Sequence, residues 1–105
     1  MAIIEIDGII LEFDKDGFLA DPVKWDPTVA RLIAKHDGIE DMTDRHWIIV
    51  NYIRKEWAEK GMVPMVRSMC KETGVRLREL YELFPQGPAR GACRIAGLPK
   101  PEGCV

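Results

Sequence analysis

No apolar run in this 105-residue chain approaches the roughly 20 residues that a membrane-spanning helix needs. Met1–Glu5 also lacks the basic start of a secretory signal. The expectation is a cytoplasmic protein with no membrane insertion. Cysteine is scarce: Cys70, Cys93 and Cys104 are an odd set without a Cys-x-x-Cys pair, which argues against a static disulfide framework. The thiols are expected to rest reduced unless they cycle. Histidine is scarcer still, and His36 and His46 are scattered far from the C-terminal thiols, so no metal site and no cofactor of the chain's own are expected. No phosphate-cradling glycine loop, paired-carboxylate motif or Ser/His/Asp arrangement stands out, so nothing marks a stand-alone enzyme. Repeats, low-complexity stretches and long linkers are absent too, which leaves one domain over residues 1–105.

What is present is ordinary for a globular protein: 47% hydrophobic and 30% charged residues, with a net charge of −2. That net charge hides an asymmetry. Residues 1–60 carry 8 basic and 13 acidic side chains, whereas residues 61–105 carry 7 and 4, so the half with all three cysteines is the basic half. A basic face for anions or an acidic partner and a merely solvated surface are both compatible with so small a difference.

The β-branched runs Ala2–Ile6 and Ile9–Phe13 flank Asp7-Gly8, which predicts a tight β-hairpin, and Asp14–Gly17 signals a second turn. A lone hairpin is marginal and must lay its apolar face on other elements. Asp26 and Pro27 open a helix to about Asp37, with Val29, Leu32 and Ile33 as its stripe. Thr43 caps the longest helix, about Asp44 to Lys60, whose apolar face holds Ile49, Ile53 and Trp57 flanked by Val50 and Trp47. His46 receives no role. A short helix from Pro64 to about Glu72, a break at Gly74, and a helix from Arg76 to Phe84 with Leu77, Leu80, Tyr81 and Phe84 inward outline a helix-turn-helix. Cys70 on the first of these reads as a packing residue. The fold class is therefore α+β, mostly α: an N-terminal β-hairpin packed on an orthogonal bundle of about five helices, with a helix-turn-helix-like pair and a mobile C-terminal arm over about residues 91–105.

The C-terminal stretch is the most distinctive. Pro88 and Gly97 bracket a two-turn helix, Ala89 to Ala96, that carries Cys93. Beyond it, Gly97 to Val105 can extend about 30 Å, with Pro99 and Pro101 as stiffeners, Gly97 and Gly103 as swivels, and Cys104 near the tip. This puts one thiol on a platform and another, eleven positions on, at the end of an arm. Closing a ring of that size costs only a few kcal/mol of chain entropy. The Val105 carboxylate disfavours a Cys104 thiolate while Lys100 and Arg94 favour one. Buried or incidental cysteines remain the plainer reading of either thiol taken alone.

Pro64–Arg67, Tyr81–Pro85, Gly87-Pro88, Gly91–Arg94 and above all Gly97–Val105 resemble the DsrC/TusE sulfur-relay family over the whole chain. The TusE branch generally lacks the upstream cysteine, so the pair Cys93 and Cys104 is most like the DsrC branch, the gamma subunit of dissimilatory sulfite reductase. Gly74 to Tyr81 lacks the insertion seen in sulfur oxidisers, which leans toward a sulfite- or sulfate-reducing source. The resemblance implies that the arm enters the reductase formed by the alpha and beta subunits, whose siroheme and iron–sulfur clusters belong to that partner. Cys104 would accept partly reduced sulfur, Cys93 would close on it as resolving thiol, and a membrane-bound reductase complex would recycle the bridged product. Arg90, Arg94 and Lys100 could offset negative charge on sulfur anions or thiolates, with plain solvent exposure as the alternative. Cys70 lies outside the family's motif. The competing functions are a TusE-like sulfurtransferase in tRNA thiolation and a helix-turn-helix DNA-binding regulator. For the latter, Arg76 and Arg78 suit a groove but Glu79 and Glu82 would repel phosphates.

Overall fold

Strand pairing starts the chain, as the β-branched runs on either side of Asp7-Gly8 require. The structure is a computed structural model that describes residues 2–6 and 8–99. Strands β1 (Ala2–Ile6) and β2 (Ile9–Phe13) pair antiparallel, with Ile4 opposite Leu11 and Glu5 opposite Ile10. Alternation sends Leu11 and Phe13 into the core and leaves Ile3 and Ile10 exposed on the other face. Past Phe13 the chain doubles back. Asp14 Oδ1 accepts the amides of Asp16 (2.9 Å) and Phe18 (3.0 Å), which buries Phe18 completely and brings Leu19 beside Phe13.

After a 3-10 turn at Pro22–Lys24, five α-helices follow among the described residues: α1 (Pro27–His36), α2 (Asp44–Lys60), α3 (Val66–Thr73), α4 (Leu77–Leu83) and α5 (Arg90–Ile95). Asp26 caps α1 by accepting the Val29 amide at 2.8 Å, and Pro27 occupies the first helical position, where a missing N–H costs nothing. Val29, Leu32 and Ile33 are buried, as the stripe requires. Thr43 and His46 form a reciprocal capping box at the start of α2. The Thr43 amide donates to His46 Nδ1 at 3.0 Å, which leaves the Nε2–H to donate to the Leu83 carbonyl at 2.9 Å. The residue without a role in the sequence thus ties the start of α2 to the end of α4.

Ile49, Val50 and Ile53 of α2 are fully buried at the centre with Phe18, Ile33, Met69, Leu80, Phe84 and Ile95. Each such side chain contributes about 1.5–3 kcal/mol through removal from water. Trp47 and Trp57 pack partly buried against this cluster. Helices α3 and α4 meet through Gly74–Arg76 in the helix-turn-helix outline, but two inward assignments need correction. Leu77 and Tyr81 are 49% and 54% exposed; only Leu80 and Phe84 are buried. A helix of seven residues lying on its neighbours presents one narrow edge to the core, and the four-position stripe was wider than that edge.

Candidate functional site

Helix α5 positions Cys93, which is fully buried. The helix spans six residues, shorter at both ends than the Ala89–Ala96 expectation, with Pro88 in the turn before it. So short a helix cannot sustain itself, because nucleation is unfavourable and few bonds follow it. Its neighbours hold it.

On one side, two arginines one turn apart reach the Asp14–Phe18 turn. Arg90 Nη2 donates to the Asp16 carbonyl at 2.9 Å, and its guanidinium lies 5.3 Å from the Phe18 ring centroid. Arg94 Nη1 donates to the Gly17 carbonyl, while Nε and Nη2 form a fork on Asp37 at 3.1 and 2.9 Å. The Arg94 and Asp37 side chains are only 13% and 4% exposed, so this is a buried bidentate pair joining α5 to the end of α1. A carboxylate at a helix C-terminus opposes the helix dipole, so Asp37 needed a cation, and Arg94 supplies it. Solvent exposure, the alternative for Arg90 and Arg94, does not describe them: both guanidiniums are engaged within the fold.

On the other side lies the exit of the chain. Four successive carbonyls at the end of α5 are each bound. Leu98 N–H donates to Cys93 O at 3.0 Å and Gly97 N–H to Arg94 O at 3.1 Å, the paired bonds of a Schellman end. Gly97 holds the left-handed φ of 70° that this motif requires. Trp25 Nε1 donates to Ile95 O at 2.8 Å, and Arg54 Nη1 donates to Ala96 O at 2.6 Å. The Arg54 guanidinium lies 3.9 Å from the Trp25 ring centroid, a close cation–π contact. Burial pushes the Arg54 pKa below its ordinary value. Leu98 is fully buried and Pro99 is exposed, so the chain emerges at Pro99, six residues past Cys93.

Cys104 and Lys100 lie outside the described residues, so the pair expected from sequence is seen only at its Cys93 end. Cys70 sits partly buried on α3 against the core. Among the described residues no group of three or more His, Cys, Asp or Glu side chains is arranged to hold a metal, and no helix is long and apolar enough to cross a membrane. On α4, Arg78 Nε faces Glu82 at 3.9 Å and Glu79 is held by Arg45. Trp25, Arg54 and Asp37 went unnoticed in the sequence. Arg54 had a signal, since it stands four residues after Val50 inside the apolar stripe of α2, and Asp37 had one in its unfavourable place at a helix end. Trp25 had none.

Residues 5–105 match the family described as DsrC like protein. The chain is 43% identical over 105 residues to the gamma subunit of dissimilatory-type sulfite reductase from Nitratidesulfovibrio vulgaris, covering 100% of both chains. It is 38% identical to a TusE sulfurtransferase homologue from Haemophilus influenzae, covering 97% of this chain and 99% of the other. It is also similar to the crystal structure of the oxidized gamma subunit (DsrC) from Archaeoglobus fulgidus, with a TM-score of 0.83, 43% identity, and coverage of 99% and 100%.

Proposed function

This chain belongs to the DsrC/TusE family of sulfur-relay proteins, and from that premise we propose that it carries sulfur as co-substrate of a dissimilatory sulfite reductase. Cys104 is the acceptor and Cys93 the resolving thiol. The observation that carries this reading is the bond from Leu98 N–H to Cys93 O beside a buried Leu98, because it fixes the root of the Cys104 segment one turn from Cys93. From Pro99 to Cys104 the chain reaches about 20 Å outward when extended. Folded back, the same residues hold Cys104 near Cys93 at an effective concentration of about millimolar or above.

The chemistry follows from thiol nucleophilicity. The Cys104 thiolate attacks a partly reduced sulfur, at the S(II) level with two oxygen ligands, in the reductase: an S–S bond forms, one S–O bond breaks, and that oxygen takes up protons and leaves as water. Cys93 then attacks that captured sulfur; a second S–S bond forms, the S–O bond breaks, and oxygen leaves as water with the thiol proton. The product bridges both cysteines through one sulfur. A membrane-bound reductase complex cleaves each S–S bond with two electrons, which restores both thiols and releases sulfide. Siroheme and iron–sulfur clusters are the partner's. The chain works as one unit over residues 1–105, with 91–105 as its working end, in the reducing cytoplasm and in the reductive direction. Arg90 and Arg94 act by holding α5 in place; Lys100 is the cation left to face a sulfur anion.

Intact-mass measurement after turnover of the chain with the reductase and sulfite tests this. Wild type gains one sulfur and loses two hydrogens, Cys93→Ala gains sulfur without closure, and Cys104→Ala gains none. Wild-type loading by Cys104→Ala would overturn the assignment. The TusE likeness supports a second reading, in which Cys104 passes sulfur onward without closure; mass spectra showing loaded Cys104 and no bridged product under any donor would favour it.

A further inference from the structure

We infer that Trp25 and Arg54 are positioning residues for the closure step: they aim the root of the Cys104 segment and so set how often Cys104 meets Cys93. This deepens the proposed sulfur-carrier reading and rests on it. The inference comes from what the two side chains hold. They bind the carbonyls of Ile95, the last residue of α5, and of Ala96, its C-cap, from positions 70 and 42 residues away in sequence. They are also stacked on each other, so each fixes the other's approach. Gly97 lies flat against the indole, where an added Cβ would fall 2.8 Å from Trp25 Cγ and Cβ. The peptide that turns the chain out of α5 is therefore sandwiched between the helix end and Trp25.

Stability alone is a poor account of this arrangement. The Schellman bonds from Leu98 and Gly97 already close the helix. Among the described residues Arg54 has no carboxylate in salt-bridge range, and its half-buried guanidinium is engaged by one main-chain carbonyl and one aromatic face. An aliphatic side chain would have filled that position on α2 without the desolvation cost. What the guanidinium and the indole add is direction: two donors meeting consecutive carbonyls fix the final peptides of α5 in rotation as well as in place. Effective concentration between tethered groups depends on this kind of geometric restriction.

The test uses the full chain and a dithiol/disulfide buffer, so that two thiol hydrogens pass to the buffer disulfide as Cys93 and Cys104 close. Trp25→Phe keeps the ring for stacking and removes the N–H; Arg54→Met keeps the stem and removes the donor. Each is expected to lower the closure equilibrium about tenfold, which raises the midpoint potential by about 30 mV. Single-sulfur loading of Cys104 should stay at the wild-type level in both. Arg54→Lys can still donate to the Ala96 carbonyl and should recover most of the loss. Folded variants, checked by thermal melts, whose midpoints equal wild type would overturn the inference and leave the sulfur-carrier reading standing. A wild-type chain that never forms the Cys93–Cys104 ring would sink both.

Discussion

Helices α2 and α5 solve the same problem in opposite ways. Helix α2 has seventeen residues, a capping box at one end, a left-handed glycine at the other, and neighbours one turn apart that support each other, such as Tyr52, Glu56 and Lys60. Most of what defines it lies inside its own sequence. Helix α5 has six residues and almost nothing of its own. Asp16, Gly17, Asp37, Trp25 and Arg54, drawn from four earlier segments, hold it. The rigidity of the element that carries Cys93 is imported from these segments.

The sharpest way to break this contrast is Arg94→Met. It leaves the buried Asp37 carboxylate without its guanidinium fork, facing only the His36 ring at 3.7 Å, and is expected to cost about 3–5 kcal/mol, read as a fall in the urea midpoint. Gly97→Ala comes next, because the new Cβ meets Trp25 at a left-handed φ; a loss of about 2–4 kcal/mol is expected from the strain and overpacking together. Thr43→Ala at the head of α2 should cost only about 1 kcal/mol, since the rest of that helix supports itself.

The smallest effect is a pH dependence along α2. Burial, then the Glu56 carboxylate, holds the Tyr52 hydroxyl pKa up to about 12. A raised pKa favours the protonated form in the fold, so this contribution is complete below pH 10 and fades as pH rises through about 12. Ultraviolet titration should show one tyrosine ionising near pH 12, and Glu56→Gln should bring it down.

Legibility in the sequence follows the same division. The hairpin, α1 and α2 announce themselves because their signals are local: Asp7-Gly8 between β-branched runs, Asp26 before Pro27, Thr43 before a long periodic stretch. Their observed bounds agree with those signals to within a residue or so. Helix α4 was over-read, since apolar spacing at 77, 80, 81 and 84 says which residues share a face but not how much of that face a neighbour covers. At the site, glycine and proline framing disclosed the platform that carries Cys93. The partners that fix it were hidden, because no local pattern tells a tryptophan at 25 that its acceptor is the carbonyl of residue 95. The charges of Arg90 and Arg94 are legible in the sequence; that they are fastened to the Asp14–Phe18 turn and to Asp37 is not.

A single amide bridge joins residues 98 and 93. The last buried residue before the chain emerges is thereby fastened to the peptide of the very residue that bears the thiol. Deuterium uptake at the Leu98 amide therefore reports, at one proton, how often this end of α5 opens.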